Sequence, residues 1–195
     1  MQEPKLPLKE RLWAKPKHWI WLGVPLGGLL AVVAGAVALG TFNYTVHATS
    51  SLEFCVSCHE METNILPHYQ ASSHYQNNSG VRAVCADCHI PQAWGPKVVR
   101  KVQKGFTEIP AKILGTISTP EKFEAKRLEM AERVWSDMKA TDSRECRSCH
   151  SLESMANQER RTAKKHSLER REEKGETCID CHKGIVHKLP EGITD

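Results

Sequence analysis

Cys55-Val-Ser-Cys58-His59, Cys85-Ala-Asp-Cys88-His89, Cys146-Arg-Ser-Cys149-His150 and Cys178-Ile-Asp-Cys181-His182 repeat one frame four times and take up every cysteine of the chain. Two thiols three positions apart reach the two vinyl groups on one porphyrin edge, and the adjacent imidazole can bind the iron. Zinc also uses CxxC pairs but has no need of a histidine directly after each one. A disulfide framework leaves those four histidines unexplained. With ten His in 195 residues, their placement after all four pairs by chance is on the order of one in a hundred thousand. The reading is four covalently attached haem c groups. Porphyrins then supply most of the apolar filling, which suits an aromatic content of only 6%. The predicted fold is mainly α, a single membrane helix plus a small multihaem cytochrome c domain with little or no sheet.

The frames fall into two pairs. The first and third read Cys-x-Ser-Cys-His and the second and fourth Cys-x-Asp-Cys-His, so the haem domain reads as a doubled two-haem unit, about 43–118 and 119–195. His74 lies 15 residues after His59 and His166 lies 16 after His150, in equivalent places. An iron that only carries electrons is best held by two strong axial ligands. His59, His89, His150 and His182 are expected on one side, with His74, His166 and His187 as distal ligands. The first half has no counterpart of His187, so one haem is short of a distal histidine. His68 is a spare, and His18 and His47 lie too near the membrane segment to be first choices. Met61 follows only the first frame, as a possible thioether ligand or a packing residue.

Trp19 to Phe42 contains 24 residues without a charge, and a helix of that length spans about 36 Å, enough to cross a bilayer. Lys5, Lys9, Arg11, Lys15 and Lys17 precede it against Glu3 and Glu10, which leaves residues 1–18 as a cytoplasmic stub and 43–195 as a periplasmic domain. Trp13, Trp19 and Trp21 on one side, with Phe42 and Tyr44 on the other, suit the two interfaces. Ala36-Val37-Ala38 resembles a signal cleavage site, but the apolar run is longer than a signal core, and an uncleaved anchor is expected. Gly23, Gly27, Gly28 and Gly35 make its surface small enough for a homo-oligomer to pack through it. Net charge is +4 with acids and bases interleaved, a solvated surface with no nucleic-acid stripe.

Thr119-Pro120-Glu121 has the N-cap, N1 proline and first-turn acid of a helix start, and Phe123, Met130, Ala131, Val134 and Met138 recur on one face. Glu159 to Lys174 reads as a charged, solvated helix around His166, in which Arg160, Arg161, Lys164 and Lys165 are available to an acidic partner or a haem propionate.

A short stub, one anchor, Cys55-Val-Ser-Cys58-His59-Glu60-Met61 and three further frames resemble the NapC/NirT family of membrane-bound tetrahaem quinol dehydrogenases, the NapC branch above all. Ser79-Gly80-Val81-Arg82-Ala83, Gly95-Pro96-Lys97 and the closing Cys178-to-Pro190 stretch add to the likeness. The resemblance implies a cytochrome of the bacterial inner membrane that oxidises membrane quinol and passes electrons to a periplasmic redox partner, often nitrate reductase. It implies that Met61 rather than His59 holds the first haem, which keeps an open face for quinol, and that Lys97 lies by the quinol. The acid found nearby in some relatives is absent, since Val102, Gln103 and Lys104 stand there; Lys97 is the candidate for quinol binding or proton handling, with Gln103 and Glu108 as secondary candidates for the proton. The alternatives are the same electron wire run in reverse, reducing quinone, and a catalytic multihaem reductase.

Overall fold

The computed structural model describes residues 7, 9, 10, 26–156, 166, 167 and 173–194. Most of the stub, the first seven residues of the expected span and Arg160 to Lys165 lie outside the described residues. The chain divides into two compact units, 1–48 and 49–195.

In the first unit, helix α1 (Leu26–Ala48) carries no Asp, Glu, Lys or Arg and has no buried residue. It is long and apolar enough to cross a membrane. It continues past Phe42, where the span was expected to end. Asn43 Nδ2 donates to the Leu39 carbonyl at 2.8 Å and Thr45 Oγ1 to the Thr41 carbonyl at 2.9 Å. These polar side chains fold back onto the helix, so polarity does not stop it.

The second unit is built of helices, with no strand among the described residues. Its elements are α2 (Leu52–Val56), α3 (His59–Asn64), α4 (Leu66–Ala71), α5 (Cys85–His89), α6 (Trp94–Ile113), α7 (Pro120–Ala140), α8 (Arg144–Arg147), α9 (Leu152–Ala156) and α10 (Cys178–Cys181). The pairwise likeness of the cysteine frames has a structural cause. In the first and third, the helix ends before the second cysteine, and Ser57 and Ser148 close it by donating to the carbonyls of Phe54 (2.7 Å) and Glu145 (2.6 Å). In the second and fourth, the helix starts at the first cysteine. There Asp87 and Asp180 accept from the backbone N–H of Val84 and Thr177, each at 2.8 Å. The serine is a C-terminal stop and the aspartate an N-terminal start.

Helix α7 begins as expected. Thr119 Oγ1 accepts from the Lys122 N–H at 3.3 Å, with Pro120 at the first helical position. Its inward face packs on α3 and α10 and carries Phe123, buried to 2% exposure. The stripe also includes Arg127, which is charged and buried. Its guanidinium pairs with both oxygens of Glu124 at 2.6 and 2.7 Å and lies 5.1 Å from the Phe123 ring centre. Lys139–Asp180 (2.7 Å) ties α7 to the fourth frame and Arg100–Asp137 (2.7 Å) ties it to α6. Ser143, left-handed at φ 47 and fully buried, accepts from the Ile179 N–H at 3.2 Å, joining the third frame to the fourth. Gly184 sits at φ +73, and a Cβ there would meet the Leu189 side chain at 2.9 Å. This turn carries the chain back from the fourth frame to His187, and only glycine fits it.

Candidate haem-binding site

The imidazoles of the frames meet the predicted distal histidines in three pairs. Ring centres are 6.1 Å apart for His74 and His150, 6.2 Å for His89 and His187, and 5.9 Å for His166 and His182. An iron bound at roughly 2 Å by one nitrogen of each of two imidazoles sets the ring centres about 6 Å apart. The donor set and its spacing therefore fit haem at the second, third and fourth frames. Burial pulls the pKa of His74 and His89 down and that of His187 down to about 4. It keeps them neutral, with the lone pair a metal needs. Two of the pairs cross the expected repeat: His74 of the first half faces the third frame, and His187 of the second half faces the second. Only His166 and His182 belong to one half. The spare, His68, faces no frame histidine among the described residues; it lies near Arg127 and Lys188, and burial lowers its pKa.

The frames follow one another in space as in sequence. Cys55 and Cys85 share a thiol–thiol hydrogen bond, which pulls Cys85 down to about 7 and pushes Cys55 up. Cys146 is pushed up by the same contact with Cys178. Cys88, raised first by burial, also feels Cys149. The first frame thus abuts the second, the second the third, and the third the fourth. Cys88 and His89 open on a cavity lined by Pro96, Val99, Gln103, Val134 and Met138.

The first frame differs. His59 faces no second imidazole among the described residues, and both of its ring nitrogens are taken. Nε2 donates to the Ser118 carbonyl at 3.2 Å, and Nδ1 accepts from the Lys112 ammonium at 3.2 Å. Lys112 in turn holds both oxygens of Glu60, at 2.7 and 2.5 Å. Glu60 is buried, and that ammonium keeps its carboxyl below the usual range. Sequence reading missed Lys112 and Ser118, which stand far along the chain and carry no motif; only the unusual Glu60 beside the frame could have signalled them.

Helix α6 places the remaining candidates. Lys97, Lys101, Lys104 and Glu108 share one face by helical spacing. Lys101 and Glu108 both act on Cys55, so this face borders the first frame. Gln103 stands on another face, in the cavity beside Cys88 and His89. The structure does not bring Lys97 and Gln103 together.

The NapC/NirT cytochrome c family, N-terminal region, matches residues 17–192. The chain belongs to that family. It is 55% identical over 174 residues to the denitrification system component NirT of Stutzerimonas stutzeri, covering 87% of this chain and 85% of that protein. It is 45% identical over 179 residues to the cytochrome c-type protein NapC of Escherichia coli K12, covering 89% of each. NapC of Paracoccus pantotrophus is 45% identical over 185 residues, covering 93% of this chain and 76% of that one. No solved structure matches. Membership makes the chain an electron-transfer cytochrome c of the NapC/NirT type. Four haems per chain are expected in a pyridine haemochrome assay, with haem stain retained on denaturing gels. A ratio of two would contradict the reading of the frames.

Proposed function

We propose that this NapC/NirT cytochrome takes electrons from membrane quinol at its first frame and delivers them from its fourth to a periplasmic reductase, of which nitrate reductase is one instance. The observation that carries this is the asymmetry of the frames. Three have facing imidazoles, whereas the first has its histidine engaged by protein and leaves Met61 as the sulfur donor beside it. When bound, haem c would supply one-electron redox chemistry, and at the first frame no second imidazole faces His59 among the described residues. The eight cysteines would attach the four groups. His74 with His150, His89 with His187, and His166 with His182 would hold three of them, and Met61 would hold the first.

Quinol oxidation releases two protons, so a base or a chain of polar groups is needed at the entry point. Lys97 binds the quinol oxygen on the α6 face that also carries Lys101. Burial lowers the pKa of Lys101, while its ammonium donates to the carbonyl and hydroxyl of Thr49 at 2.9 and 2.8 Å. Glu108, on the same face and 3.7 Å from Lys104, is better placed than Gln103 to take a proton. The charge asymmetry before α1 supports a haem domain on the periplasmic side of a bacterial inner membrane. In vesicles carrying the full-length haem-loaded protein, Lys97→Leu is expected to slow quinol-driven haem reduction about 100-fold and leave dithionite reduction complete. Full quinol activity in that variant would remove Lys97 from the site.

A further inference from the structure

Helix α6 is amphipathic in the wrong sense for a helix on a soluble domain. Val102, Phe106, Ile109 and Ile113 recur at helical spacing along one stripe, and Leu114 follows just past its end. That stripe points away from the protein: Phe106 is 79% exposed and Ile113 80%. Three of its cations lie away from that stripe and are bonded to the rest of the protein. Arg100 bonds Asp137 with a side chain only 20% exposed, Lys101 bonds Thr49, and Lys112 bonds Glu60. A helix that turns its charges inward and its apolar stripe outward is stable only if what lies outside is apolar too.

Chain connectivity says what that is. Lys101 fastens α6 to Thr49, and Thr49 directly follows Ala48, the last residue of the apolar α1. Adjacent Cα atoms are about 3.8 Å apart, so the turn of α6 that Lys101 pins is held beside the point where the chain leaves the anchor. The geometry points to α6 lying in the membrane interface, its Val102–Ile113 stripe sunk among the acyl chains of the leaflet from which the haem domain emerges. It is a second attachment to the bilayer, parallel to the surface, of the kind amphipathic helices make by burying one face about 5 to 10 Å deep. It fixes the orientation of the haem domain and holds the Lys97 face at the depth where quinol travels. This inference rests on α1 being a membrane anchor.

The test uses the full-length haem-loaded protein in nanodiscs whose lipids carry a diazirine in the acyl chain. After photolysis, lipid adducts are mapped by mass spectrometry, and side-chain oxidation by hydroxyl radicals is mapped in parallel. Adducts are expected on α1 and on 102–114, the latter about tenfold above α7, whose exposed Leu128 serves as the aqueous control. Phe106 should be protected from oxidation where Leu128 is not. Adducts on α1 alone, with Phe106 oxidised, would overturn the proposal and leave the anchor standing. Phe106 protected without adducts, or cross-linked to α6 of a second copy, would overturn it in favour of a protein occupant. No adducts on either helix would remove the anchor itself.

Discussion

Replacing His187 by alanine is expected to turn the haem attached at Cys85 and Cys88 high-spin, and to leave the one attached at Cys178 and Cys181 low-spin. Sequence proximity points the other way, since His187 lies five residues after His182. The structure sets His187 across from His89 with ring centres 6.2 Å apart, while His182 has His166 at 5.9 Å. Losing one strong axial ligand changes the spin state and raises the reorganisation that each electron demands. Because the second frame lies between the first and the third, onward transfer should fall by at least about tenfold and by up to about a hundredfold, although the ligand sits near the C-terminus. Electron paramagnetic resonance of the oxidised protein counts the low-spin signals. Repeating the measurement in a Cys178→Ser/Cys181→Ser background shows which haem is affected. If the His187→Ala effect disappears in that background, His187 serves the fourth frame and the pairing is wrong.

What the sequence discloses and what it conceals divide along local and non-local chemistry. The frames are legible because attachment needs two thiols and an imidazole within five residues, and the start of α7 because Thr119, Pro120 and Glu121 carry all its cap chemistry. The distal histidines are legible as a set, since few other strong donors exist, but not as pairs. Repeat symmetry makes His74 and His166 equivalents; in the folded chain His166 faces its own half and His74 faces the other. Interlocked halves explain the difference, because each half supplies an imidazole the other lacks. The amphipathic pattern of α6 is also plain in the sequence, whereas the side it turns outward is decided by partners elsewhere in the chain: Asp137 for Arg100, Thr49 for Lys101 and Glu60 for Lys112. Gln103 illustrates the same limit. It stands where an acid is expected by resemblance, yet helical spacing puts it in the cavity of the second frame.

The first frame yields the second large effect. Met61→Leu is expected to abolish quinol-driven reduction and to change the spectrum of the first haem, with the other three remaining low-spin and reducible by dithionite. His59→Ala is expected to leave that first spectrum nearly unchanged. The contrast inverts what a CxxCH frame ordinarily implies, and it follows from how His59 is held. Its Nε2–H is directed at the Ser118 carbonyl and its Nδ1 lone pair is covered by the Lys112 ammonium, so neither nitrogen offers electrons to a metal. Lys112 cannot leave cheaply, because the buried Glu60 carboxylate would lose both of its ammonium contacts. In Met61→Leu the imidazole therefore stays where it is and does not substitute for the lost sulfur. Adding Lys112→Met and Glu60→Gln to Met61→Leu removes that clasp together with the buried charge. The triple variant should recover an imidazole-ligated first haem, visible as a shift in its resonance and its potential, without recovering quinol activity. A first-haem spectrum that survives Met61→Leu but collapses in His59→Ala would assign the iron to His59 and end the case for an open, methionine-held entry point.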